Sequence, residues 1–163
     1  MPLKHLDKAS LVTHLVTQLS EDLQQAEQAA QHAMEGAIHD QSKAETQYDT
    51  LGLEHAYLAE GQSRRIEDLK ESITLLKHMP LVDLTPDDAI ILSALIQVQG
   101  AKDSKAQTLF LAASGGGKKL TYDGHDIMTI TPHSPLGEEL LGRYEEDEFK
   151  WPNGHDGCIV SIH

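Results

Sequence analysis

One cysteine, seven aromatic residues and few bases set the first limits on this chain of 163 residues. The single thiol, Cys158, excludes an intrachain disulfide and fits a reducing compartment. Proline is missing from residues 9–78, which removes the strongest helix breaker from a long stretch. No apolar run approaches the roughly 20 residues of a membrane span. The opening Met1-Pro2-Leu3-Lys4-His5 is also unlike a signal peptide. A cytoplasmic protein without membrane contact is expected. Acids outnumber bases by 26 to 13, for a net charge of −13. Phosphate backbones repel such a chain, so direct binding to duplex DNA is not expected. A partner with a basic channel or a metal-rich site suits it better.

What is present falls into two halves. In the first, Val12, Leu15, Leu19, Leu23, Ala26, Ala30, Ala33 and Ala37 recur every three or four residues. Leu58, Gln62, Ile66, Leu69, Ile73 and Leu76 do the same further on. Such spacing marks one face of a helix in search of a partner. The polar stretch 35–48 lies between them, with Gly36 and Ser42 available to turn the chain. An antiparallel helical hairpin over residues 1–79, with a tip near 36–48, is the expectation; a single unbroken helix that dimerises is its competitor. Alanines replace Val and Leu towards the turn, so the far end should be narrow.

Charge is distributed unevenly along the hairpin. From Glu21 to Glu60 there are nine acids and one base, Lys43, whereas 61–80 holds four bases and three acids. An acidic stretch is often no more than a solvated helix face. A narrow acidic prong is also what would reach towards a cation, because paired carboxylates can complete the shell of a weakly held Mg²⁺. Asp40, Glu45 and Asp49 are the candidates.

Pro80 ends the helical half, and Leu81–Pro86 reads as an entry to a second domain, 80–163. Strands are expected at 89–98, 107–112, 127–130 and 157–162, separated by turn-rich segments such as Ser114-Gly115-Gly116-Gly117 and Pro152-Asn153-Gly154. Ser134 can cap a short helix with Pro135 at its first position, and Gly142 can stop it. About four strands and one short helix make the whole chain α+β.

Other motifs carry less. Gly115-Gly116-Gly117-Lys118-Lys119 lacks the glycine spacing and the hydroxyl of a phosphate loop, and reads as an inter-strand turn. His155, Asp156, Cys158 and His163 do not have metal-ligand spacing. No local pattern supports nucleophilic catalysis. Phe149 and Trp151 should pack at a strand end.

The stretch Ile130–Gly142, reading ITPHSPLGEELLG, resembles the signature of the C-terminal domain of the Gre transcript-cleavage factors of bacterial RNA polymerase. Tyr48 and Arg65-Ile66-Glu67-Asp68-Leu69 are similar to that family's second helix. The resemblance implies an N-terminal antiparallel coiled coil followed by a small FKBP-like β-sheet domain. It also implies docking of that domain, through Ser134, Pro135, Leu136 and Gly137, on the rim of the polymerase's secondary channel. The coiled coil would enter the channel, where tip acids help the polymerase cleave backtracked RNA. The chain would then be a monomeric accessory factor rather than an enzyme, with no stably bound cofactor and any Mg²⁺ shared with the polymerase. FKBP-like topology alone would also admit a prolyl isomerase. Such pockets are lined by aromatics, and residues 81–163 hold only Phe110, Tyr122, Tyr144, Phe149 and Trp151.

Two departures from the family pattern bear on activity. His133 stands where the family has Asn or Asp. Cleaving members carry Asp-x-x-Glu-Asn followed three residues later by tyrosine. Anchored on Tyr48, that pattern falls on Gln41, Ala44 and Glu45. Asp40 and Glu45 are the nearest carboxylates and separate as i, i+5. They are the candidate catalytic and Mg²⁺ residues, and the competing expectation is a regulator that occupies the channel without promoting cleavage.

Overall fold

A computed structural model describes residues 3–43, 50–100 and 105–163, with side chains described at 3, 5–36, 60–100 and 105–163. After a 3-10 turn at Leu3–His5 come two long helices, α1 (Lys8–Lys43) and α2 (Thr50–Lys77). The strands β1 (Leu95–Gly100), β2 (Gln107–Leu111), β3 (Lys119–Tyr122) and β4 (His125–Ile130) follow. A short helix α3 (Pro135–Leu140) then precedes β5 (Glu148–Lys150) and β6 (Asp156–Ile162). The chain is α+β, as its patterning predicts. No described helix is long and apolar enough to cross a membrane.

The chain forms two compact units, Thr17–Ile73 and a second made of Met1–Val16 with Thr74–His163. In the first, partly or fully buried residues recur at Leu19, Leu23, Ala26, Ala30 and Ala33 on α1 and at Gln62, Ile66, Leu69 and Ile73 on α2. These are the positions that the periodicity singles out. Only six residues separate the two helices, and they reach at most about 22 Å. A 28-residue α2 is about 42 Å long. A parallel pairing would therefore overstretch the connection, and the helices run antiparallel. Gly36 and Ser42 both lie inside α1 rather than at the turn. An isolated helical glycine costs only about 1 kcal/mol, which a 36-residue helix absorbs.

The second unit is built on one six-stranded sheet of order β3-β4-β2-β1-β6-β5. β2 and β4 are parallel and every other neighbouring pair is antiparallel. Alternation along the strands divides the apolar residues between two faces. Ile96, Val98, Leu109, Leu111, Ile130 and Ile159 share one core with Leu140 of α3 and with Phe149. Leu95, Phe110 and Ile127 fall on the opposite alternation and are also buried. In the same unit Leu11, Leu15, Leu76 and Met79 are buried, and His14 meets Tyr122 edge-on at 6.2 Å.

Two expectations from the sequence need correction. The sheet has six strands, since β3 and β5 were not anticipated. The strand expected at 89–98 begins only at Leu95. Residues 89–94 instead bind elsewhere: Ile90 N–H donates to Arg143 O at 2.8 Å, Gly142 N–H to Ile90 O at 2.9 Å, and Ser93 N–H to Leu111 O at 2.8 Å. The segment's polar backbone is thus satisfied outside the ladder.

Candidate functional site

Ile130–Gly142 forms one closely knit unit. β4 ends at Ile130, and Thr131 turns the chain so that its carbonyl accepts from both Ser134 N–H (3.1 Å) and Ser134 Oγ–H (2.7 Å). The same Oγ accepts from Gly137 N–H at 3.1 Å, which caps α3. Pro135 occupies the first turn, where its missing N–H costs nothing. Gly142, at φ +84°, follows the helix end in the left-handed region that suits glycine. Gly137 is required by space: a Cβ there would lie 1.8 Å from Thr131 O and 2.9 Å from Ser134 Oγ.

This geometry gives each residue of the motif a place. Gly137 is buried, Ser134 and Leu136 are half-buried, and Leu136 packs on the core that holds Leu140. Only Pro135 is exposed. Ser134→Ala removes both bonds of the hydroxyl, and a lost cap costs about 0.5–2 kcal/mol. Chemical denaturation followed by Trp151 fluorescence should show that loss. An unchanged midpoint would mean that the cap contributes nothing.

Beyond α3 the chain is tied down by acids. Arg143 Nη2 pairs with Glu139 Oε1 at 2.8 Å, and Arg143 Nη1 donates to Glu148 O at 3.0 Å. Asp147 Oδ2 accepts from Tyr144 N–H at 2.8 Å, and Glu145 Oε1 from Ile162 N–H at 2.8 Å. Bonds of this kind hold the 141–148 loop in one shape. Near the C-terminal strand, the Lys150 ammonium hydrogen-bonds Asp156; this raises the lysine and lowers the carboxyl from their ordinary values. Asp156 is thereby committed to an ion pair, and no group of three His, Cys, Asp or Glu among the described residues could hold a metal ion.

Asp40 stands on α1, but its side chain lies outside the described residues, as do Glu45 and Asp49 entirely. Phe149 and Trp151 pack against each other, ring centroids 5.2 Å apart, over Gly157, where a Cβ would come within 2.6 Å of the Phe149 ring. Two cavities of about 560 and 290 Å³, at 105–128 and at 9–81, are lined without any of the five aromatics of the second half. Neither has the aromatic wall of a prolyl-isomerase pocket.

No protein-family model matches the chain, and no curated protein does. Among solved structures it is similar to GreA factor homolog 1 (Gfh1) of Thermus thermophilus, at 16% identity over 91% of this chain and 94% of that one, with a TM-score of 0.38. Gfh1 of Thermus aquaticus gives 18% identity, 90% and 92% coverage, and a TM-score of 0.38. The elongation factor GreA/GreB from Nitrosomonas europaea gives 20% identity over 66% of this chain and 88% of that one, with a TM-score of 0.34. Identities of this size do not transfer a function.

Proposed function

We propose that this protein is a Gre-type transcription factor that binds bacterial RNA polymerase and acts through its secondary channel, as an accessory factor and not as an enzyme. The observation that carries this reading is the Ile130–Gly142 unit. The residues that resemble the Gre signature, ITPHSPLGEELLG, form a strand, a turn and a capped helix in which Ser134, Pro135 and Gly137 each have a specific structural task. A long helix pair with an acid-rich distal sequence adds to it. Among the described residues the periodic positions of both helices are partly or fully buried within one chain, which favours a monomer.

In this reading the polymerase does the chemistry. Asp40 and Glu45 carry the oxygen donors that Mg²⁺ prefers, and an ion shared with the polymerase would supply charge stabilisation at the scissile phosphate. A second version, docking without cleavage, is favoured by the position of Asp40. That residue lies on helix α1, which extends to Lys43. A one-residue offset within a helix moves a position by about 100° around the axis, so Asp40 does not replace the family's acid by simple equivalence.

The test is RNA length on a gel, from backtracked polymerase complexes given Mg²⁺ and this protein, alone or with an authentic Gre factor. Shortened RNA that is lost in Asp40→Ala or Glu45→Ala would establish a cleavage factor. Suppression of the authentic factor's cleavage, with none from this protein alone, would establish the channel-occupying regulator. No effect in either lane would overturn the polymerase reading.

A further inference from the structure

Three of the four residues of the Ser134–Gly137 motif are partly or fully withdrawn from solvent, which leaves most of a docking surface to be found in its neighbours. Of the eight large apolar side chains exposed among the described residues, five belong to adjoining segments of the second unit: Leu81, Val82, Ile91, Leu141 and Tyr144, each 39–50% exposed. Hydrogen bonds bring those segments together. Ile90 is joined in both directions to Gly142 and Arg143. Two residues beyond Ile91, Ser93 Oγ accepts from Val82 N–H at 3.0 Å. Ile91 thus sits on a segment bonded to 142–143 through Ile90 and to Val82 through Ser93. Singly exposed apolar residues are ordinary, but several gathered on one surface mark a contact site.

The charge around them has one sign. Residues 81–91 and 138–148 contain nine acids and a single base, Arg143, which is already paired with Glu139. Asp83, Asp87, Glu138 and Glu146 are exposed in this surround. The loop is also held in shape beforehand by the bonds to Glu145 and Asp147, so little ordering remains to be done on binding.

We propose that the surface formed by 81–91 and 138–147 receives a basic segment with an apolar face, supplied by RNA polymerase. The proposal rests on the polymerase-binding reading and names the chemistry of the contact. Apolar side chains of the partner cover Ile91, Leu141 and Tyr144, with the tyrosine as the anchor, since buried tyrosines often dominate such contacts. Lysines and arginines at the edge of that segment face Asp87 and Glu138, and steer its approach.

The experiment is surface plasmon resonance of the full chain on immobilised bacterial core RNA polymerase, at low and high ionic strength. Leu141→Ser and Tyr144→Ser are expected to weaken binding about tenfold or more each, mainly through faster dissociation. Asp87→Lys with Glu138→Lys is expected to slow association and flatten its salt dependence. Val160→Ser, which removes an exposed apolar side chain on β6, should bind as the parent does. All of these residues are exposed, and matching thermal unfolding would verify each fold; the charge-reversal pair decides the matter should an apolar variant unfold. Variants at Leu141 and Tyr144 that bind within about twofold of the parent would overturn this surface and leave the polymerase reading standing. A parent chain that does not bind polymerase would remove both.

Discussion

Gly137→Ala is expected to destabilise the sheet unit by about 3–5 kcal/mol. The added Cβ would sit 1.8 Å from Thr131 O and 2.7 Å from Thr131 C. Both are backbone atoms, so no rotamer change relieves the overlap. Moving Thr131 away breaks its two bonds from Ser134, and moving Gly137 away breaks the cap on Ser134 Oγ. Either way α3 shifts, and Leu140, fully buried in the core beside Phe149 and Ile159, shifts with it. In a unit of this size a loss of that magnitude lowers the thermal midpoint by about 10 °C or more. Trp151, the chain's single tryptophan, packs on this core and supplies the signal. An alanine variant within about 1 kcal/mol of the parent would show that the Thr131 turn can yield, and that glycine at this position is not demanded by space.

That glycine illustrates what the sequence conveyed and what it withheld. The order Ser-Pro-x-Gly announced a capped helix, because each residue type has a local reason to be there. Nothing local announced Thr131 O, whose approach depends on where β4 ends. The helix seam was legible for the same reason as the cap: Leu19, Ala26, Ile66 and Leu69 follow a period set by the backbone itself. The two strands that escaped notice, β3 and β5, are the two edges of the sheet. Edge strands are kept short and polar, as KLTY and EFK are, which erases the apolar alternation that betrays an inner strand. The opposite error arose at 89–94. Ala89, Ile90, Ile91 and Leu92 have strand composition, but the backbone of Ile90 pairs with Arg143 and Gly142, and that of Ser93 with Leu111. Apolar composition predicts burial there, correct for Ile90, and does not say which ladder the backbone joins. The candidate site divides the same way. Its signature was readable, while the exposed apolar residues around it come together only through bonds between segments some fifty residues apart.

Lys8→Met is expected to raise stability at neutral pH by about 1–2 kcal/mol, and to remove a pH dependence that the parent chain should show. Lys8 is only 6% exposed, in the first turn of α1. Its ammonium donates to Val82 O. Burial lowers its pKa from 10.5 to about 8, and the nearby Asp83 offsets part of that shift. The direction of the linkage follows. Below about pH 8 both folded and unfolded chains carry the proton, and the full cost of burying the charge is present. Between about 8 and 10.5 the unfolded chain binds more protons, so stability rises with pH. Above 10.5 neither form is charged, and the cost is gone. The total rise is on the order of 3 kcal/mol. Methionine keeps the volume and discards the charge, which in buried sites is often stabilising. It also gives up one hydrogen bond to Val82, worth about 1 kcal/mol, and the net gain is smaller for that reason. Denaturation curves of both proteins between pH 7 and about pH 10.5 test this, and their difference cancels every titration that they share. A parent chain whose stability does not climb relative to the variant would mean that the Lys8 ammonium is hydrated in solution, and that the start of α1 and the 80–94 segment separate more readily than their packing suggests.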